Sequence, residues 1–378
     1  MSRVKGSWCG ISNRTDFSTQ QFTLKNYNSR MMSRKKQALL KSRNTLIDSA
    51  RGFAILIMIA ANSWPYLVPI NYCPLGLRLL FSIAAPIFIF LSGVSLCLAE
   101  EAGKPIKSQV KRIIQILLVA FIIDAFVWRI FPFYTFDVLY LIAFSLSLVL
   151  IIRKLALHYQ LIITSTIFLA SIILLEHYQF ELSSLSLFGI KQFSLTTAIK
   201  QALLSGWFPM LPWSGVCMLG YLLAKHRQAL VRYKVYWYLA GLIFIGLSVV
   251  LYMQPGAIPA DFRIGYTELF YPVKGNFYVL LLGLCCVLIP IIGTPYNKVS
   301  LLSAIGNKSL FIYFVHIIII KYVFFPLVQD AESFQWWISA IHLLAFYLSI
   351  IAINYMVQTK VPDLKHGKYK RIGFITGF

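Results

Sequence analysis

The sequence predicts an all-α fold: a polytopic membrane helix bundle of about ten transmembrane helices, with both termini in the cytoplasm. Three observations lead there. The 378 residues are 58% hydrophobic and only 13% charged, whereas a soluble domain carries roughly a quarter charged residues. The apolar residues come in blocks about twenty long, the length at which a helix crosses a bilayer. The basic residues collect at alternate ends of those blocks. A large soluble core is excluded because too little polar surface would remain to cover it.

The blocks lie at 52–70, 75–98, 113–131, 136–152, 159–175, 205–224, 235–253, 274–294, 304–320 and 334–356. The first opens on "NTLIDSARGFAIL", where Asp48 and Arg51 stand three apart on one helical face. The acid suits a helix N-terminus and the arginine offers a fork to phosphate. Asn62 follows deep in the same block, an amide that hydrocarbon leaves unpaired unless something hydrogen-bonds it. The second block has Arg78 near its outer end and Ser92 beside Gly93, a small pair that lets helices approach. The third holds Asp124 in "LLVAFIIDAFVW" and ends at Arg129, which flanks "IFPFYTF" together with Asp137 and could pair with it. In the sixth, Pro212, Trp213 and Ser214 predict a helix irregularity beside a cavity. Cys285 and Cys286 in the eighth read as packing residues, His316 stands in the ninth, and His342 in the tenth reads as structural.

Orientation follows from charge. The N-terminal tail through Arg51, the loops after the second, fourth, sixth and eighth blocks and the C-terminal tail hold 28 of the 35 basic residues. That asymmetry is the positive-inside signature. The net charge of +22 therefore reports topology and anionic lipid, and excludes nucleic acid as the partner. Residues 1–46 are expected to form a basic, disordered tail, lack the apolar core of a signal peptide and offer Met31 or Met32 as an alternative start; 47–357 are expected to form the membrane domain and 358–378 a second basic tail. None of the six cysteines forms a C-x-x-C pair, so neither a disulfide framework nor a metal site is expected.

Depth then singles out a polar layer. At about 1.5 Å per residue, Asn62 lies roughly 16 Å past Arg51, His316 roughly 12 Å past Lys308, and Asp124 roughly 18 Å past Arg112. Ser92 and Ser214 reach similar depths from the other side. Ionisable groups inside a membrane usually face the bundle interior or a wet cavity. Each residue also has a plainer reading: Asn62 and His316 as interhelical hydrogen bonds, Arg78 and Arg129 as interfacial anchors.

The order "LIDSARGFAILIMIAAN", "APIFIFLSGVSL", "FDVLYLIAFSLSLVL", "FPMLPWSGVCMLGYLLA", "LSAIGNKSLFIYFVHI" resembles the transmembrane acyltransferases related to heparan-alpha-glucosaminide N-acetyltransferase, from about residue 45 to 320. The resemblance implies an integral-membrane enzyme that takes an acetyl or other acyl group from cytoplasmic acyl-CoA. It would deliver that group to an amine or hydroxyl of a sugar or glycan across the membrane, in a bacterial inner membrane. Acetyl-CoA is then the donor substrate and no metal is needed. His316 is the implied base, Asn62 the donor to the oxyanion, and Asp124 the group that steadies the imidazolium. Arg51, with Arg112 or Lys308, takes the CoA phosphates. Asp48, Ser92, Trp213 and Ser214 complete the donor side, while Arg78, Arg129 and Asp137 rim the acceptor side. One departure stands out. The animal enzyme has an essential histidine in its first outer loop, and "SWPYLVPINYCPLGL" has none. A transporter on a similar bundle is the alternative, though no inverted repeat is visible; a non-catalytic relative and a homodimer stay open.

Overall fold

The computed structural model describes residues 44–67, 73–177, 195–257, 267–271, 273–296 and 300–324, with residues 298, 326, 344, 347, 348 and 351 besides. All regular structure in the described residues is helical. The described residues from Asn44 onward pack as one unit. The expected N-terminal tail, the C-terminal tail and most of the tenth block, His342 included, lie outside the described residues.

Helix α1 runs Thr45–Leu67. A short α2 (Leu75–Ser82) leads at Ile83 into α3 (Ala84–Glu101). Helix α4 (Ile106–Ile122) widens into π-type turns over Ile123–Trp128 and stops at Arg129, whose φ of 56° ends the helix in the left-handed region. Helix α5 (Val138–Ile152) starts from the Asp137 side chain, which accepts the Val138 N–H, and α6 (Leu157–His177) follows. After a short α7 (Leu195–Lys200) come α8 (Met210–Leu230), α9 (Lys234–Tyr252) and α10 (Gly275–Gly293). Helices α11 (Leu301–Asn307) and α12 (Ser309–Ile319) follow, bent by 84° against each other, and α12 runs on into π-type turns over Ile320–Phe324.

Among the described residues five segments are long and apolar enough to cross a membrane, and the α11–α12 pair would make a sixth. The third and fourth blocks do not reach that length and composition, for visible reasons. The first turns of α4 carry Lys107, Lys111 and Arg112, and α5 has only 15 residues. The stretch Met210–Tyr252, 43 residues long, is a hairpin. Trp213 near its start and Ser248 near its end both meet the first turn of α10, at Phe277 and at the Asn276 carbonyl, whereas its middle, Arg227 to Val231, meets Gly293 at the last turn. The Leu211–Pro212 bond is cis and Leu211 is not helical, so α8 begins irregularly where Pro212 suggests it.

Three crossings bring helix backbones together at glycines, two of them with a glycine facing a glycine. A Cβ at Gly93 of α3 would lie 2.9 Å from the Tyr221 nitrogen, and one at Gly220 of α8 would lie 2.9 Å from the Phe90 carbonyl carbon. Gly241 of α9 and Gly283 of α10 each face the other's carbonyl oxygen at 3.0 Å. Gly52 of α1 and Gly306 of α11 cross in the same way. In lipid no hydrophobic force separates helix from helix. Close backbone packing of small residues supplies the association instead. On the outside of the bundle, Ile162, Leu169 and Ile173 of α6 and Leu239, Leu242 and Ile243 of α9 are exposed, as a face in contact with acyl chains would be.

Candidate functional site

The α1–α11 crossing places the centre of the site. It brings α11 against the first turns of α1, and the bend at Lys308 then sends α12 along α1. Asn62 and His316, 254 residues apart, meet there. The Asn62 Nδ2 lies 3.1 Å from the His316 Nε2. On the other side of the ring, His316 Nδ1 lies 3.2 Å from the Ile312 carbonyl. A carbonyl oxygen only accepts, so Nδ1 carries the proton and Nε2 presents its lone pair. The Asn62 amide donates to that lone pair. The ring is wholly buried, while Asn62 is half-buried.

Asp124 is not joined to this pair. Its side chain is 2% exposed and lies beside Tyr140 of α5, and no hydrogen bond runs from it to His316 among the described residues. The imidazole takes its orientation from the Ile312 carbonyl of its own helix instead. Asp137 is linked to the histidine through Tyr313. One of its oxygens caps α5 and the other accepts the Tyr313 hydroxyl at 2.6 Å. The Tyr313 ring packs edge-on to His316 at 5.1 Å between centroids.

A second set of residues gathers about four turns down α1. Arg51 donates to Asp48 Oδ1 at 2.9 Å and to the Ser95 hydroxyl of α3. Asp48 is buried, 4% exposed. Arg112 of α4 lies within Coulombic reach of Arg51 and donates to Gln115 at 2.6 Å. Two guanidinium groups thus stand close together with one buried carboxylate, an arrangement that favours an added anion. Lys308 stands at the α11–α12 bend, half-buried. Glu100 and Glu101, at the end of α3, hold the neighbouring cations: Arg153 at 3.5 Å, and Arg227 through two 2.6 Å hydrogen bonds.

The other expected residues are engaged elsewhere. Ser92 and Ser214 each donate to the carbonyl one turn back in their own helices. Trp213 is 1% exposed inside a cluster with Phe208, Phe270 and Phe277. Arg78 donates to the Thr267 carbonyl at 3.1 Å, tying α2 to the segment 267–271. Arg129 is exposed at the end of α4, some eight residues of loop away from Asp137. Among the described residues no three His, Cys, Asp or Glu side chains converge as metal ligands would.

Three residues beside these groups do not stand out in the sequence: Ser95, Tyr140 and Tyr313. Helical spacing is the signal that points to two of them. Ser95 lies three residues after Ser92, and Tyr313 lies three before His316 on the same face.

The family model described as heparan-alpha-glucosaminide N-acetyltransferase, catalytic, matches residues 43–255, more than half of the chain. The match takes in Asn62 and Asp124 and ends before His316, which joins that region through its contact with Asn62. No curated protein matches the chain.

Proposed function

The chain belongs to the heparan-alpha-glucosaminide N-acetyltransferase catalytic-domain family, and from that premise we propose that it moves an acetyl group from cytoplasmic acetyl-CoA to a sugar or glycan at the far side of the membrane. The observation that carries this reading is the Asn62–His316 contact. It sets an imidazole whose Nε2 lone pair accepts from an amide donor, and acyl transfer needs both a base and a donor.

In this reading the CoA phosphates rest on Arg51 and Arg112, with Lys308 as a third cation. The thioester reaches up to the histidine. An acceptor hydroxyl or amine attacks the thioester carbonyl while His316 Nε2 takes its proton. The Asn62 N–H turns from the imidazole to the developing oxyanion. The tetrahedral intermediate then collapses, the carbon–sulfur bond breaks, and the imidazolium returns the proton to the departing thiolate. A positioned base contributes about 10²–10⁴-fold, and one oxyanion donor about 10²–10³-fold.

Calorimetric titration of acetyl-CoA into the purified protein tests the donor half, and loss of label from [¹⁴C]acetyl-CoA tests turnover. Folded His316→Ala and Asn62→Ala are expected to bind donor and to lose transfer by at least 100-fold. Arg51→Ala is expected to raise the donor KM at least tenfold with a smaller effect on kcat. A folded wild-type protein that does not bind acetyl-CoA refutes the proposal. So does His316→Ala with wild-type turnover.

A further inference from the structure

The buried imidazole of His316 is tied at both nitrogens, to the Ile312 carbonyl and to Asn62. The transfer step above gives up one of these ties. When the Asn62 N–H turns to the oxyanion, the bond to Ile312 stays, but the ring torsion of a histidine is intrinsically broad. Something else must then keep Nε2 aimed at the reacting atoms.

Tyr313 is placed to do so. It lies three residues before His316, on the same helical face. Its ring stands at 80° to the imidazole, with centroids 5.1 Å apart, and both side chains are buried. Its hydroxyl donates to Asp137 Oδ2 at 2.6 Å, the length of a hydroxyl bond to an ionised carboxylate. Asp137 in turn is a fixed post. Its other oxygen accepts the Val138 N–H and so caps α5. The two residues before it accept from the backbone of another segment, Thr135 from the Trp207 N–H at 2.8 Å and Phe136 from the Phe208 N–H at 3.0 Å. Phe136 is left-handed at φ 48°, a conformation that bulky residues rarely adopt and that persists only where the surroundings impose it. A chain of contacts thus runs from this anchored loop through Asp137 and Tyr313 to the histidine.

We propose that Tyr313, anchored by Asp137, is a positioning residue that holds the His316 ring in register once Asn62 lets go of it. Its effect on rate rests on the transfer reading; its effect on the ring does not, and two measurements keep these apart. The first is nuclear magnetic resonance of ¹⁵N-labelled histidine in the full-length protein, with the His316 signal identified by its loss in His316→Ala. In Asn62→Ala, which mimics the released ring, the His316 Nε2 line is expected to stay sharp and to show no bound proton. Adding Tyr313→Phe, which keeps the ring but not its bond to Asp137, is expected to broaden that line. The second is turnover of acetyl-CoA. Tyr313→Phe is expected to lower kcat about 10- to 100-fold, the scale of a catalytic group misplaced by up to about 1 Å, with the donor affinity and size-exclusion profile of the wild type. Asp137→Asn, which keeps a hydrogen bond to Tyr313, should lose less than Asp137→Ala, and Asp137→Ala as much as Tyr313→Phe. Tyr313→Phe and Asp137→Ala together should lose no more than either alone, because both cut one chain of contacts.

A His316 line already broadened in Asn62→Ala, or still sharp after Tyr313→Phe is added, overturns the proposal. So do losses that multiply in the double variant, or a folded Tyr313→Phe with wild-type kcat. A wild type that neither binds nor turns over acetyl-CoA, together with the expected broadening, would uphold the positioning of the ring and sink the transfer reading instead.

Discussion

A single methyl group at Gly306 should unseat His316. Gly306 of α11 crosses α1 at Gly52, and α12 with its histidine continues from that crossing. An alanine Cβ at 306 would lie 2.7 Å from the Gly52 nitrogen and 2.8 Å from the Asp48 carbonyl carbon. The Asp48 carbonyl oxygen is closer still, and non-bonded heavy atoms prefer about 3.5–4.0 Å, so the helices must part by at least about 1 Å. The obstacle is backbone, which has no rotamer to move into. Overpacking of this kind costs about 1–3 kcal/mol. At about 2–4 °C per kcal/mol for 150–250 residues, and less for a longer chain, Gly306→Ala should melt below the wild type by up to about 12 °C.

Gly246 is the control. A Cβ there meets nothing within 4 Å, and alanine is worth up to about 1 kcal/mol over glycine inside a helix. Gly246→Ala should therefore melt at or slightly above the wild type. The assay is thermal denaturation of the detergent-solubilised protein, followed by size-exclusion chromatography. The reasoning also has a functional arm. A shift of about 1 Å at the crossing carries α12 with it, and misplacing a catalytic group by that much costs about 10²-fold in rate. Equal melting temperatures for Gly306→Ala and Gly246→Ala would refute the packing argument. A destabilised but fully active Gly306→Ala would refute the link to His316.

Other consequences can be checked on the same footing. Asp137→Ala should cost more than Asp137→Asn, because asparagine still caps α5, a cap worth about 1 kcal/mol, and still accepts from Tyr313; equal losses in denaturation would remove the cap from the account. The Arg227–Glu101 pair should show a coupling of about 0.5–1 kcal/mol in a double-mutant cycle, modest because it lies near the water; zero coupling would make its two short hydrogen bonds inconsequential. Arg129→Gly should leave stability unchanged or raise it by about 1 kcal/mol, since left-handed backbone costs a side chain about 1–2 kcal/mol; a clear loss would mean that the arginine side chain holds something in place.

Much of the membrane character could be read directly. Apolar blocks and helices coincide because a helix in lipid must satisfy its backbone hydrogen bonds within itself, and that requirement is local. The block at 235–253 became Lys234–Tyr252, and that at 274–294 became Gly275–Gly293. The block at 304–320 did not become one straight helix. Its bend of 84° falls at Lys308, where α11 has been drawn across α1 by two glycines far apart in the chain. Nothing within the block announces such a partner.

The candidate site divides the same way. Depth along each helix put Asn62, Asp124 and His316 in one layer, because the rise per residue is a property of the helix alone. Which of them meet depends on how each helix is turned about its axis and on what it crosses. Those choices are made by packing, and they join Asn62 to His316 while sending Asp124 to Tyr140. The arginines show the same limit. Arg51 and Asp48 pair through spacing on one helix. That Arg112 rather than Arg78 or Arg129 stands near them follows from the approach of α1, α3 and α4. The sequence by itself therefore determined the apolar character and the helices, both consequences of short-range backbone geometry. Rotation and crossing of helices, which depend on contacts hundreds of residues apart, were decided only by the tertiary structure.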